Sequence, residues 1–145
     1  MQSLKEDTMK KLFKSTIIGL LFLLVPVFAM AASVTGSIQG FNCVTQGKVC
    51  PIGKEDPVAA AENVFVLLVD AATGDYYFIP NVDRAVLARH LNTMVKVEGT
   101  VDKKMKTIKA TDIFRTNPEK KAWSTSMQDE IYKDLWGSGP GGPKK

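Results

Sequence analysis

The chain has one histidine and two cysteines among its 145 residues. A tetrahedral zinc site takes four ligands, and His90, Cys43 and Cys50 are too thin a set to supply them. Six residues separate the cysteines, which excludes the C-x-x-C pattern of thiol oxidoreductases and the C-x-x-C-H pattern of haem attachment. There is no Gly-x-Ser-x-Gly elbow and no phosphate-cradling glycine pattern. Glu98, Asp102 and Asp112 are available carboxylates. Glu98, however, alternates with Val97 and Gly99 as an outward strand residue does, and Asp102 is turn chemistry. Spacing alone does not hold two of them at the separation that acid–base hydrolysis needs. Without a nucleophile–base or acid–base set, the chain reads as non-enzymatic, with no catalytic residues, no metal site and no cofactor. Internal repeats are absent as well.

Long apolar runs are also missing. The longest, Ile17 to Phe28, spans about a dozen residues, where a membrane-spanning helix needs ~20. Its flanks explain it. Lys10, Lys11 and Lys14 precede it and Ala29-Met30-Ala31 follows, which are the three parts of a secretory signal peptide. Residues 1–31 are therefore expected to be removed, with Met9 the better start and Ala32 the first mature residue. The mature protein is expected in the periplasm or outside the cell, and its only strong tie to a membrane is the cleaved segment. No cysteine follows the apolar run closely, so nothing supports a lipoprotein. Removal takes four of 19 basic and two of 15 acidic residues and leaves a net charge of +2 rather than +4. Neither nucleic acid nor anionic lipid is implied by that balance. The remaining 114 residues are one domain's worth.

Ser33 to Phe41 alternates as a strand with glycines where the backbone bends. Asn42 to Asn63 is a long connection carrying both cysteines. At its end Asp56 and Pro57 can open a helical turn or two. Val64 to Val69 is an apolar, β-branched run that reads as a buried strand. A turn over Asp70 to Asp75 leads into the strand Tyr76 to Ile79. Val82 to Leu91 is a helix capped by Asn81 or Asp83. Its stripe is Val86, His90, Leu87 and Leu91, with Arg84, Ala88 and Arg89 pointing elsewhere. Met94 to Val101 and Thr107 to Phe114 alternate around a lysine-rich hairpin loop. The order strand, strand, strand, helix, strand, strand predicts a mostly β fold with one packed helix. It is the topology of the OB-fold, a five-stranded Greek-key barrel over residues 32–114.

Val34-Thr35-Gly36-Ser37-Ile38, Val95 to Val101, Ile108 and Ile113, with a cysteine-bearing first loop between them, resemble the small exported single-domain OB-fold proteins of bacteria. The resemblance runs from Ser33 to Phe114 and implies fold and compartment rather than an activity. The stretch from Cys50 to Asn63 and the tail after Arg115 depart from the simplest pattern.

Residues 115–136 read as a linker and a C-terminal amphipathic helix, with Ser126 as cap of Met127 to Trp136 and Asp129 and Glu130 in its first turn. Met127, Ile131 and Leu135 recur at i, i+4, i+8, and an early start would add Trp123. Residues 137–145 are a flexible glycine- and proline-rich tail.

Three features carry the functional expectations. In an oxidising compartment Cys43 and Cys50 should form a disulfide, and closing eight residues contributes ~2–3 kcal/mol by loop entropy. Tyr76, Tyr77 and Phe78 lie on the third strand, which in OB domains contributes to the ligand face, so one side of it is available for stacking. Trp123, Ile131, Leu135 and Trp136 belong to an apolar stripe that either docks on the domain or meets a partner, with weak interfacial membrane contact a further use. The sum is an envelope binding module for a protein partner or small ligand. Two alternatives stand beside it. One is a copper or thiol-redox role for Cys43 and Cys50, with Met94, Met105 or Met127 as a thioether ligand. The other is a structural component that self-associates through the C-terminal helix.

Overall fold

Alternating strands build one six-stranded sheet. The structure, a computed structural model, describes residues 31–137; the expected signal segment up to Met30 and the tail from Ser138 lie outside the described residues. The strands are β1 (Ala32–Gly40), β2 (Phe65–Asp70), β3 (Asp75–Phe78), β4 (Met94–Asp102), β5 (Thr107–Thr116) and β6 (Glu119–Ser124). Four helices join or follow them: α1 (Phe41–Thr45), α2 (Glu55–Ala61), α3 (Arg84–Ala88) and α4 (Thr125–Trp136). Neighbouring strands run antiparallel in the order β3-β2-β1-β4-β5-β6. The sheet curls until β3 meets the start of β5 through one parallel bridge, Phe78 to Thr107, which closes a ring of five strands.

Two local devices let the sheet curl. β1 pairs with β4 along Ala32 to Ser37 and with β2 along Ser37 to Gly40. The changeover sits at Ser37, next to Gly36, where a Cβ would run into the carbonyl of Leu68. On β5 the inward residues are Ile108 and Ala110 and then Ile113. That parity slip is a bulge, because Thr111 falls between the pairs Gly99–Ala110 and Glu98–Asp112.

The main core lies inside the ring, from Ile38, Leu67, Val95, Val97, Ile108 and Ile113, with Leu87 and Leu91 from the α3 region. A second, smaller core lies on the outer face of β2, where Val66 and Leu68 are covered by Val44 of α1. Burial on both faces is why this strand is continuously apolar rather than alternating.

Several expectations change. Glu119–Ser124 is a sixth strand on the free edge of β5, not a linker. Its first residues, Glu119-Lys120-Lys121, face solvent and carry no apolar pattern. Trp123 therefore sits on a strand, and only 6% of it is exposed. α4 starts earlier than expected, with Ser124 rather than Ser126 as its cap: Ser124 Oγ accepts from the Met127 amide at 3.2 Å. Asp129 and Glu130 fall outside its first turn. α2 begins at Glu55 with Lys54 before it and has no side-chain cap. α3 is half the expected length. Asp83 caps it through the Ala85 amide at 2.7 Å, and Asn92, at φ 60°, ends the segment.

Candidate functional site

A groove of about 410 Å³ lies between α3 and α4. Strand β6 hands the chain directly to α4 at the Ser124 cap, so the helix leaves the sheet beside α3. Ala122 and Trp123 floor the groove, Val86, Arg89 and His90 line one wall, and Met127, Gln128, Ile131 and Tyr132 line the other. The volume and the apolar lining fall within the range of small-molecule sites.

The polar groups of the α4 wall satisfy one another. The indole N–H of Trp123 donates to Gln128 Oε1 at 2.8 Å, and Gln128 Nε2 donates to the Tyr132 hydroxyl at 3.3 Å. This chain fixes the Trp123 ring as a floor. Across from it His90 is half-buried. Burial holds its pKa below the usual histidine value, helped by the nearby Arg115 and Arg89 charges, so the imidazole is neutral at neutral pH. Arg115 Nε is buried without a hydrogen-bond partner among the described residues.

The expected stripe divides. Trp123 and Ile131 line the groove, while Leu135 and Trp136 lie beyond it toward the end of α4. Met127, Ile131, Leu135 and Trp136 are 46–56% exposed. The α4 stripe is therefore not absorbed into the domain's own core. Sequence reasoning put His90 and Val86 on one face, as found, but pointed Arg89 away from it; Arg89 shares the groove. Gln128 was missed, and its spacing one turn before Tyr132 was the available signal.

The aromatic strand residues lie on a different surface. Tyr77, partly buried, packs against the main core. Tyr76 and Phe78 point outward as a pair, but Phe41 of α1 already meets them, with ring centroids 5.8 and 5.4 Å away. Lys106, ion-paired to Asp75 at 2.8 Å, stands over the Tyr76 ring at 5.4 Å. The outer face of β2–β3 is thus occupied by the chain's own helix.

The cysteines sit at the root of that helix. Cys43 is half-exposed and Cys50 is fully buried, and their sulfurs approach to 2.6 Å, longer than the ~2.05 Å of a disulfide. The Gly40 amide donates to Cys50 Sγ at 3.1 Å, and the Cys50 amide donates to Oε1 of the buried Gln39 at 2.7 Å. Gln39 continues to Asn92 and Asn92 to Glu55, at 3.1 and 3.0 Å. This network ties the long loop to the ring. Glu62, only 6% exposed, accepts from the Asn42 amide and side chain at 3.3 and 3.0 Å and lies 3.7 Å from Cys43 Sγ. Burial, then Cys50, then the Glu62 carboxylate push the Cys43 thiol up to about 12. That environment disfavours the thiolate, the reactive and metal-binding form. Arg84 secures the far end of the loop by donating to the Ala59 and Glu62 carbonyls, and it lies over the Phe65 ring.

No family model, no curated protein and no solved structure matches the chain, so the functional reading stands on the groove itself.

Proposed function

We propose that this is an exported, single-domain OB-fold binding protein of the cell envelope that holds an apolar ligand or partner segment in the groove between α3 and α4. The fold assignment draws support from the closed pairing β1-β2-β3-β5-β4 and from α3 standing between β3 and β4. The compartment rests on the signal-like segment 1–31, and Cys43 and Cys50 are joined there as a structural disulfide. The observation that carries the function is the groove: about 410 Å³, floored by Trp123, walled by exposed Met127 and Ile131.

A neutral apolar dye, N-phenyl-1-naphthylamine, tests it. Its emission should rise on the wild-type protein and stay low on Ile131→Glu, a change at an exposed position that leaves the fold intact. A dye that ignores the wild-type protein rejects the groove as a binding site.

A second reading, self-association through α4, is favoured by the exposure of Leu135 and Trp136 beyond the groove. It requires a sedimentation coefficient that rises with concentration and falls back on Leu135→Asp.

A further inference from the structure

Within that groove most polar groups are already spoken for. Trp123, Gln128 and Tyr132 are linked in series. Asp83, at the start of α3, uses one carboxylate oxygen, Oδ1, on the Ala85 amide. His90 is held neutral by its surroundings. The exception is Arg89, an exposed residue that caps the other end of α3. Its guanidinium has no salt-bridge or side-chain hydrogen-bond partner among the described residues. Asp83 and Arg89 cap opposite ends of α3, so the two charges sit at opposite ends of that wall. The groove therefore has an apolar body and one unpaired cationic end, with the positive field there reinforced by Arg115 near His90.

Resting on the groove reading above, we propose that the occupant is a linear amphiphile with an anionic head: an aliphatic chain laid across Trp123, Met127 and Ile131, with a carboxylate-type group on Arg89. An aliphatic body suits the lining, because the Trp123 ring presents a flat apolar floor and the polar atoms along the α4 wall are already bonded to one another. An anionic head suits the rim, because a guanidinium holds a carboxylate through two parallel N–H bonds. A cationic head would meet Arg89 with like charge, and the groove's one lining carboxylate, Asp83, already has Oδ1 committed to the Ala85 amide. A headless chain would leave the guanidinium as it is, fully hydrated.

Three ten-carbon probes separate these cases: decanoate, decanol and decyltrimethylammonium. Trp123 reports on them, in a protein carrying Trp136→Phe so that one indole remains. All titrations are kept below the micellar range at neutral pH. Decanoate should perturb Trp123 emission with an affinity about fivefold above that of decanol, ~1 kcal/mol for an ion pair near the surface, and decyltrimethylammonium should bind weakest. Arg89→Glu should reverse the order of the two charged probes, and Arg89→Gln should level decanoate with decanol. Both changes sit at an exposed position, and an unchanged melting temperature verifies each fold. Equal affinities for decanoate and decanol, or an order indifferent to Arg89→Glu, overturn the anionic-head assignment while leaving the groove as an apolar site. Failure of all three probes to alter Trp123 emission overturns the assignment and the groove reading together.

Discussion

Glu62 is a carboxylate placed where water barely reaches, and two neighbours make that tolerable. Asn42 donates to it twice, and Gly40 leaves it room, since a Cβ there would lie 2.5 Å from the Glu62 side chain. The cost of this arrangement appears at Cys43, whose thiol is pushed up to about 12, by burial first. The sign of the pH effect follows. The folded value lies above the ordinary 9.0, so the native state of reduced protein keeps a proton that the unfolded chain gives up. Cys43 then contributes its full share of stability below pH 9, and that share is lost as pH rises from 9 toward 12. Chemical denaturation of the reduced and alkaline-treated protein should show this loss, and the disulfide form should not. Glu62→Gln removes one of the raising causes. It should speed alkylation of reduced Cys43 severalfold at pH 8, read by mass spectrometry against time.

At the scale of elements, the strands with an apolar pattern, alternating or continuous, were legible and the polar one, β6, was not. β1, β4 and β5 announce themselves through Val34, Val95, Val97, Ile108 and Ile113. The bulge at Thr111 is written in the parity slip between Ala110 and Ile113, but it is confirmed only by pairing. β6 reads as polar because Glu119, Lys120 and Lys121 are exposed on a strand at the end of the sheet order, and only Trp123 and Ser124 turn inward. α1 gave no signal, since it has neither a capping side chain nor a full amphipathic turn. The groove was half legible for a related reason. It takes residues from three stretches, 83–90, 122–123 and 127–132, and periodicity within a stretch says nothing about which stretches meet. These assignments predict different outcomes for two truncations. Ending the chain after Ser124 removes α4 alone and should leave a folded, cooperative domain. Ending it after Arg115 also removes β6 and Trp123, strips the cover from the β5 edge and opens the core. A tryptophan's worth of buried contact is ~3–5 kcal/mol, so this shorter chain should lose its thermal transition and precipitate. Circular dichroism melts of the two products make the comparison.

Taken whole, the molecule keeps two apolar regions on opposite sides of one strand. The inner core closes the ring, and the outer one is shut by α1 over Val66 and Leu68. The groove beside α4 is a third apolar region, and it is left open. The closure of the ring is uneven. Eight paired positions hold β4 to β5, whereas β3 meets β5 at one, with the Phe78 amide donating to the Lys106 carbonyl at 2.8 Å. A ring with one narrow seam has a preferred place to breathe. Native-state amide exchange should find the Phe78 proton leaving through a local opening far cheaper than global unfolding, while the amides of Val95, Val97 and Ile113 exchange only when the whole domain unfolds. Equal protection across these sites would mean that the seam does not open on its own. If it does, the lysine-rich turn between β4 and β5 is the part of the molecule that swings, and the sheet behaves as a clasp rather than a rigid tube.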